Sequence, residues 1–329
     1  MKILVRLPNW LGDVIMSMAF LGELKKVYPE SEIDVIIKKE LSDLILHSPE
    51  INHTYPFSKK EYPGIKGLYS FGKFIKARKK YDLFFCLPES FSSALLGYFM
   101  GSKIRIGYKK EFRNLFLTNA YTRESGRHRA EDYIGLLTKF SGIQPVNPSI
   151  QLSANVADLK LLPQGKNLIF NINSEAQSRK MPVELAAELI AEIKKKYNFN
   201  IILTGSNKDV EYVAELVNKL SGNALVYNYA GKTTLKELIG LVSQADITIS
   251  TDSGIAHLSN AFLINTIVLF GAGNETSTAP YNKNNVKIIR KKGLDCAPCL
   301  SNTCKFGTPK CLTTLDRNLI LKALEEFSV

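Results

Sequence analysis

Three short segments place polar side chains directly after apolar, β-branched runs, where strands are expected to end. The first of them is Pro8-Asn9-Trp10-Leu11-Gly12-Asp13. Gly12 allows a tight turn, and Asp13 then falls near the start of a helix. A carboxylate at that place could take a proton from an attacking hydroxyl, and such a general base contributes on the order of 10²–10⁴-fold to a rate. The alternative is that Asp13 only satisfies free N–H groups and the helix dipole.

The second segment is Thr251-Asp252-Ser253-Gly254-Ile255-Ala256-His257. Free backbone N–H groups at the start of a helix bind phosphate oxygens, and Gly254 lets a ligand approach the backbone closely. His257 follows about one turn later and can face the same way as Ser253. The pattern predicts a diphosphate site in which Asp252 suits sugar hydroxyls better than phosphate. The alternative is that Asp252 caps the helix and that His257 is a satisfied core residue.

The third segment, Ser174 to Lys180, ends in two adjacent cations, Arg179 and Lys180. Pro182 then begins a helix at the position that proline favours. Cations at the end of a strand could neutralise the charge of a diphosphate leaving group. A solvated basic loop is the alternative, and it is the commoner role of such a pair.

Four of the five cysteines lie close together near the C-terminus, and the fifth, Cys86, lies alone in an apolar strand. Their spacing, C-x2-C-x4-C-x6-C, could hold one tetrahedral zinc ion. In a long chain of cytosolic type, such a cluster indicates metal binding before disulfides. Reduced thiols packed in a loop and labile disulfides are the alternatives. Zinc would be structural, because four sulfur ligands leave no open position for catalysis. The four residues are Cys296, Cys299, Cys304 and Cys311.

Short apolar runs alternate with helical patterns along the whole chain, and this alternation is typical of parallel sheets covered by helices. The predicted strands are Ile3–Leu7, Ile33–Ile37, Asp82–Leu87, Asn167–Asn171, Ile201–Thr204, Asp246–Ser250 and Thr266–Phe270. The predicted helices are Val14–Val27, Leu41–Leu46, Ser92–Met100, Ala130–Phe140, Pro182–Lys196, Lys208–Leu220, Thr234–Ser243, Gly254–Phe262 and Leu315–Phe327.

A proline-containing segment divides the alternating strands and helices into two series. Pro145, Pro148 and Pro163 lie between the two series, and 329 residues are enough for two domains. We therefore predict an α/β fold with two Rossmann-like, doubly wound domains, residues 1–155 and residues 156–329. The second domain also carries the cysteine cluster 296–311 and a C-terminal helix. Since such domains bind ligands at the carboxyl ends of their strands, a cleft between two facing domains is the expected site.

The charge balance points to anionic partners. The chain carries a net charge of +12, and residues 1–150 hold 23 Lys and Arg against 15 Asp and Glu. A basic surface attracts nucleic acid, anionic membranes or anionic substrates. No nucleic-acid-binding signature is present, so we expect no nucleic-acid partner. Arg6 interrupts the first apolar run too early for a signal peptide, and no run approaches the roughly 18 apolar residues of a membrane span. A cytoplasmic protein is expected.

Taken together, the motifs resemble glycosyltransferase family nine, the ADP-heptose:lipopolysaccharide heptosyltransferases. The resemblance extends along nearly the whole chain and is strongest at residues 9–13 and 251–258. Leu87-Pro88-Glu89-Ser90-Phe91-Ser92-Ser93-Ala94-Leu95 looks like the stretch that marks heptosyltransferase II. Residues 271–281 and the cysteine cluster resemble further features of the family. Met181 departs from the pattern, since members usually have tryptophan there, and this leaves the choice between Arg179 and Lys180 open.

The resemblance implies a GT-B fold in which the N-terminal domain binds the acceptor and the C-terminal domain binds the donor. It implies an inverting transfer with Asp13 as the base. Its implied acceptor contacts are Asn9, Trp10, Gly12 and Ser90. Its implied donor contacts are Ser174, Arg179, Lys180, Gly205, Asp252, Ser253, Gly254 and His257.

The resemblance further implies transfer of heptose from ADP-L-glycero-D-manno-heptose to the lipopolysaccharide inner core, as the second heptose. The acceptor would be a lipid-anchored core oligosaccharide, with peripheral contact to the cytoplasmic face of the inner membrane. No Asp-x-Asp pair occurs in the sequence, which agrees with catalysis that requires no metal or other cofactor. One alternative is a transferase of the same fold with another sugar or acceptor. A Rossmann-type oxidoreductase or nucleotide sensor is disfavoured, because Pro8–Asp13 has one glycine where the dinucleotide fingerprint needs three.

Overall fold

The computed structural model describes residues 1–46, 48–153, 162–220 and 225–328. The chain divides into two compact units, Met1–Ile150 and Gln151–Val329, which we call unit 1 and unit 2. The predicted domain boundary between residues 155 and 156 falls in a stretch outside the described residues.

Unit 1 contains one parallel sheet whose strands lie in the order β3-β2-β1-β4-β5-β6. Its strands are β1 (Lys2–Arg6), β2 (Glu32–Lys38), β3 (His53–Phe57), β4 (Leu83–Cys86), β5 (Ile104–Tyr108) and β6 (Asn119–Tyr121). Its helices are α1 (Leu11–Val27), α2 (Gly64–Arg78), α3 (Phe91–Met100) and α4 (Arg129–Ser141), with 3₁₀ turns at Lys39–Ile45 and Glu111–Phe116.

Unit 2 also contains one parallel sheet, with the strand order β12-β11-β10-β7-β8-β9. Its strands are β7 (Asn167–Asn171), β8 (Asn200–Leu203), β9 (Val226–Asn228), β10 (Ile247–Thr251), β11 (Asn265–Phe270) and β12 (Val286–Arg290). Its helices are α5 (Val183–Lys196), α6 (Val210–Lys219), α7 (Leu235–Ser243), α8 (Gly254–Ala261), α9 (Glu275–Thr278), α10 (Lys310–Thr313) and α11 (Arg317–Ser328).

The two sheets share one topology. In each, the first strand of the unit pairs with the second on one side and with the fourth on the other. Connections between parallel strands of one sheet are right-handed almost without exception, so this order places helices on both faces and reverses the winding between the first and fourth strands. The predicted α/β fold with two doubly wound domains is therefore confirmed. The reversal points lie between β1 and β4 in unit 1, and between β7 and β10 in unit 2.

The central strands are buried because they are covered on both faces. Every residue of β4, β7 and β10 is buried; β4 and β7 are rich in Leu, Ile and Phe, whereas β10 alternates Ile with Thr and Ser. The prediction of strands from continuous apolar runs succeeded for this reason.

The elements that sequence analysis left unassigned lie mostly toward the sheet edges. β3 contains Pro56, which an edge strand tolerates because one side of its backbone makes no ladder. α2 contains Gly64, Gly67 and Gly72, which weaken the helical signal. The predicted short helix Leu41–Leu46 is instead the 3₁₀ turn Lys39–Ile45.

None of the described helices combines the length and the hydrophobicity that crossing a bilayer requires.

Candidate active site

The first predicted motif occupies the reversal point of unit 1. Trp10 is the residue before α1, and its side chain makes no capping hydrogen bond. The Trp10 ring is 59% exposed, whereas Gly12 and Asp13 are half-buried in the first helical turn. A carboxylate in the first turn is stabilised by the helix dipole. Asp13 is therefore placed where the helix dipole favours its negative charge and where it can still reach solvent or a ligand.

Asp13 lies near Tyr133 of α4, which packs against α1. Burial raises the pKa of the Tyr133 hydroxyl well above its ordinary value, and the Asp13 carboxylate adds to that rise. The phenol therefore stays protonated at any physiological pH.

A cavity of about 70 Å³ opens beside this motif. Its lining residues come from the ends of β1 and β3, the start of α3, and α2. They are Arg6, Asn9, Phe57, Lys59, Leu68, Ser90, Ser92, Ser93 and Leu96. The structure thus brings together two of the predicted acceptor contacts, Asn9 and Ser90. Trp10, Gly12 and Asp13 are described but lie outside this lining.

Arg6 is the charged, buried member of this cavity, and sequence analysis did not identify it as functional. Its side chain is 4% exposed. The guanidinium donates to the Leu7 and Ile36 carbonyls at 2.9 and 3.1 Å and to Asn9 Oδ1 at 2.6 Å. Within the described part of the chain it forms no ion pair with an acidic residue. The available signal was a charge inside an otherwise apolar strand.

Burial lowers the pKa of Arg6 to about 10, and nearby Cys86 opposes that change. The guanidinium therefore remains charged at neutral pH. A buried charge without an opposite charge is costly, so an anion arriving in the cavity would be favoured.

Ser90 serves both the helix and the cavity. Its hydroxyl caps α3 by accepting a hydrogen bond from the Ser93 N–H at 3.4 Å, and it lies 2.7 Å from Ser93 Oγ. Hydroxyl groups beside a buried guanidinium are typical of sites for carboxylates or phosphates.

In unit 2, the ends of β7 and β10 are joined by the side chain of Asn171. Its amide group donates to Ser250 Oγ, Ser253 Oγ and the Asn173 carbonyl, each at 3.0 Å. Thr251 Oγ1 also donates to the Asn173 carbonyl, at 2.8 Å. These bonds fix the two loops that carry the second and third motifs. Asn171 and Asn173 were not predicted as site residues.

Ser174, Arg179, Asp252 and Ser253, all predicted donor contacts, lie together at this point. The Ser174 hydroxyl donates to the Asp252 carbonyl at 3.1 Å. Arg179 Nη1 lies 3.2 Å from Asp252 Oδ2. Ser174 and Asp252 are 78 positions apart in the chain, and their motifs meet because β7 and β10 are neighbours.

The Asp252 carboxylate is buried but incompletely satisfied. Its Oδ2 has no hydrogen-bond partner among the described residues, and neither has Arg179 Nε. The two charges are thus close but not aligned for a hydrogen bond. Burial raises the pKa of Asp252 to about 6, although the charges of Arg179 and Arg290 partly offset that rise. The carboxylate can still accept a hydrogen bond from a ligand hydroxyl.

Two residues after β11 support this carboxylate, and sequence analysis identified neither of them as functional. A side chain at Gly273 would place its Cβ 2.0 Å from Asp252 Oδ2, so glycine is required for the carboxylate to keep this position. Arg290 donates to the carbonyls of Gly271 and Gly273, both at 2.7 Å, and pairs with Glu275. These bonds hold the loop that contains Gly271 and Gly273 against the Asp252 side chain.

The start of α8 offers an anion site beside this pair. Ser253 precedes the helix without a side-chain capping bond, and Gly254 is the first helical residue. N–H groups at such a start bind phosphate oxygens. His257 lies one turn into the helix and is 6% exposed.

Lys180 and Gly205 belong to a second group, around Asp209. Lys180 Nζ lies 2.9 Å from Asp209 Oδ1, and a Cβ at Gly205 would meet Asp209 and Asn173 at 3.1 and 2.9 Å. Although burial raises the pKa of Asp209, bonds from Lys180 and Ser206 lower it overall. The structure thus directs Arg179, and not Lys180, toward Asp252.

The four clustered cysteines are all free thiols. Burial raises the pKa of the Cys311 thiol, and the charges of the other three add to that rise, so the thiols share one neighbourhood. Among the described residues, however, no group of three or more His, Cys, Asp or Glu side chains is arranged to hold a metal ion. The arrangement therefore does not show a fit to zinc, and structural zinc stays a prediction.

Residues 69–309 match the sequence profile described as "Glycosyltransferase family 9 (heptosyltransferase)". The lipopolysaccharide core heptosyltransferase OpsX of Haemophilus influenzae is 29% identical over 285 residues, which are 83% of this chain and 79% of that protein. Lipopolysaccharide heptosyltransferase 2 of Salmonella typhimurium is 27% identical over 318 residues, 88% of each chain.

Among solved structures, the chain is similar to Escherichia coli ADP-heptose lps heptosyltransferase II. The match has a TM-score of 0.84 at 25% identity and covers 99% of this chain and 98% of that one. The predicted GT-B class agrees with this likeness.

Proposed function

The chain belongs to glycosyltransferase family 9, the heptosyltransferases, and is a glycosyltransferase; on that premise we propose that it transfers heptose to the lipopolysaccharide inner core. We propose ADP-L-glycero-D-manno-heptose as donor and the second heptose as product. Relatives named for lipopolysaccharide core transfer and for ADP-heptose support this choice. The observation that carries it is the Arg179–Asp252 pair beside the uncapped start of α8.

We propose that unit 2 binds the donor in two parts. The diphosphate would lie at the start of α8, where the N–H groups near Gly254 and the Arg179 guanidinium balance its charge. The Asp252 carboxylate, with Oδ2 lacking a hydrogen-bond partner among the described residues, would accept a bond from a sugar hydroxyl. This division explains why a carboxylate stands beside a phosphate site.

Unit 1 would bind the acceptor. The inner core is a lipid-anchored oligosaccharide with acidic groups, and the cavity at Arg6 and Lys59 supplies a buried cation, an exposed cation and serine hydroxyls. We propose that it receives one acidic group of the acceptor. The protein would act in the cytoplasm, in peripheral contact with the inner membrane and without a nucleic-acid partner.

The proposed reaction is a single inverting displacement with Asp13 as the base. The Asp13 carboxylate takes the proton from the acceptor hydroxyl while that oxygen forms a bond to the anomeric carbon. The bond from that carbon to the diphosphate oxygen breaks, and ADP leaves with the electron pair. Arg179 and the helix N-terminus stabilise the charge that develops on ADP. With these groups present, we propose that no metal or cofactor is required.

Calorimetric titration with ADP, with and without a chelator, tests the donor assignment. We expect binding that does not change with chelator and that weakens at least tenfold in His257→Ala, because this histidine lies one turn from the proposed phosphate site. A transfer assay with ADP-heptose and a core acceptor then tests the reaction. Binding of UDP in place of ADP would indicate another donor, and binding of NADH would indicate another class of protein.

A further inference from the structure

An aromatic and cationic surface covers one side of unit 1, away from any role assigned above. Six large apolar residues are exposed there, with exposed fractions between 43% and 78%. They are Ile65 and Tyr69 of α2, Phe91 and Tyr98 of α3, and Phe112 and Leu115 of the 3₁₀ turn. We call these six residues the aromatic face.

Ring contacts make this face continuous across three elements. Phe116 meets Phe91 and Tyr98, with ring centroids 5.2 and 5.6 Å apart. Phe99 meets Tyr69 at 5.3 Å and Tyr98 at 6.1 Å. The exposed rings of α2, α3 and the turn are thus linked through two half-buried ones.

The two most exposed members stand side by side. Phe112 is 77% exposed and Leu115 is 78% exposed. A 3₁₀ turn has about three residues per turn, so positions three apart point the same way. Because Arg113 and Phe116 occupy the other side and turn inward, the turn presents Phe112 and Leu115 to solvent.

Cations surround the aromatic face almost without opposing charges. The segments 64–78 and 91–116 contain nine Lys and Arg, of which Arg113 is buried, and a single acidic residue, Glu111. Lys73 Nζ lies 5.4 Å from the Tyr69 ring centre, and the Arg105 guanidinium lies 5.7 Å from that of Tyr98. Exposed apolar side chains surrounded by Lys and Arg are typical of surfaces that bind anionic membranes.

We propose that the aromatic face docks unit 1 onto an anionic phospholipid bilayer. Phe112 and Leu115 insert below the headgroups, while Lys73, Arg105 and neighbouring cations contact the phosphates. A second copy of the chain is a poor partner for the aromatic face. Two such faces in contact would bring their Lys and Arg side chains together, and these would repel each other. Single-stranded nucleic acid is also a poor partner, because its bases stack on aromatic side chains and Leu115 is aliphatic.

This placement also suits the acceptor. α3 contributes Phe91 and Tyr98 to the aromatic face and Ser92, Ser93 and Leu96 to the cavity that contains Arg6. A lipid-anchored acceptor in the same bilayer would thus present its sugars close to the cavity. Delivery of the acceptor rests on the proposed function. Docking assigns a surface to the membrane contact proposed there, and vesicle binding tests it without heptose transfer.

Co-sedimentation with vesicles tests the docking. We expect the whole protein to bind phosphatidylcholine vesicles that contain phosphatidylglycerol and to bind pure phosphatidylcholine weakly, with affinity falling as salt is raised. Phe112→Ser combined with Leu115→Ser should weaken binding roughly tenfold or more, because the inserted apolar area is lost. Both side chains are exposed, so the fold should not depend on them.

Phe306→Ser is the matched control. Phe306 is 63% exposed in unit 2, and Lys305 Nζ lies 4.9 Å from its ring centre. Removal of this exposed ring beside a lysine should leave vesicle binding unchanged. Equal losses in the control and in the double variant would overturn the proposal, as would unaltered binding by the double variant.

Two further results would replace the bilayer with another occupant. A concentration-dependent dimer in sedimentation velocity that the double variant abolishes would assign the aromatic face to self-association. Tight single-stranded RNA binding that the double variant abolishes, without vesicle binding by the wild type, would assign it to nucleic acid.

Transfer activity separates this inference from the proposed function. With a water-soluble core acceptor, the double variant should match the wild type. With acceptor embedded in vesicles, it should be slower by about the factor lost in binding. Vesicle binding without any heptose transfer would contradict only the proposed function, and transfer without vesicle binding would contradict only the docking.

Discussion

Units 1 and 2 have the same strand order, yet their reversal points carry opposite buried charges. In unit 1 the buried group is the Arg6 guanidinium, without an acidic partner in the described chain. In unit 2 it is the Asp252 carboxylate, close to Arg179 but without a hydrogen bond at Oδ2. Topology therefore decides where a ligand can bind, whereas a few side chains decide which ligand it is.

The comparison assigns separate tasks to the two units. Unit 1 would supply the base and bind an acidic acceptor, and unit 2 would bind a sugar and its diphosphate. If this division holds, substitutions in one unit should change the kinetic constants of one substrate and spare those of the other.

The largest effect is expected from Asp13→Asn in unit 1. The amide keeps the shape of the side chain but cannot take a proton, so kcat should fall by on the order of 10²–10⁴-fold. Donor affinity, measured by ADP titration, should stay within about twofold because unit 2 is untouched. Unchanged turnover would remove Asp13 from the role of base.

The second test uses the burial of Asp252. Its pKa in the folded protein, about 6, lies above the ordinary 3.8. The folded protein thus binds the Asp252 proton more tightly than the unfolded chain does. The stability that comes from this tighter binding is lost as the pH rises from about 4 through 6. Ionised Asp252 should therefore cost on the order of 3 kcal/mol at pH 7.5.

Asp252→Asn should recover part of that stability in denaturant unfolding at pH 7.5. The gain should shrink as pH falls from 6 toward 4, because the wild-type carboxyl of the folded protein becomes protonated over that range. The same variant should bind a nucleotide-sugar donor less tightly. A stability difference independent of pH would contradict the assigned burial effect.

Gly273→Ala tests whether unit 2 depends on close packing around Asp252. The new Cβ would lie 2.0 Å from Asp252 Oδ2, so the carboxylate must move. Donor KM should rise by roughly 10- to 100-fold, corresponding to about 1.4–3 kcal/mol, while acceptor KM stays constant.

Gly22→Ala is the matched control, since nothing lies within 4 Å of the corresponding Cβ. Gly22 lies inside α1, where alanine should stabilise the fold by roughly 0.5–1 kcal/mol. If Gly22→Ala and Gly273→Ala raise donor KM equally, the effect does not arise at Asp252.

The smallest expected effect is that of Arg6→Met in unit 1. Loss of the buried cation should raise acceptor KM roughly tenfold for an acidic acceptor, by removal of one charge-assisted hydrogen bond. Donor KM should not change. Arg6→Lys keeps the charge and should restore part of the acceptor affinity. If Arg6 has only a structural role, both variants should lower stability without raising acceptor KM selectively.

Sequence alone predicted the class of fold and placed all three motifs in segments that follow strands. Apolar runs such as β4 and β7 are buried on both faces, so their composition identifies them without knowledge of neighbours. The motifs at Asp13 and Asp252 were found because loops after such strands must reach the ligand-binding edge. Edge elements such as β3 were missed, because an edge strand needs no continuous apolar run.

Only the tertiary structure decided which groups act together. Arg179 and Lys180 are adjacent in sequence, yet one lies against Asp252 and the other against Asp209. Gly273 and Arg290 carry no local signal, since their importance comes from contacts with residues far along the chain, and at Arg6 the charge in an apolar strand does not reveal its partners. Burial and pairing are properties of the packed chain, so residue type and spacing could predict a site's place but not its partners.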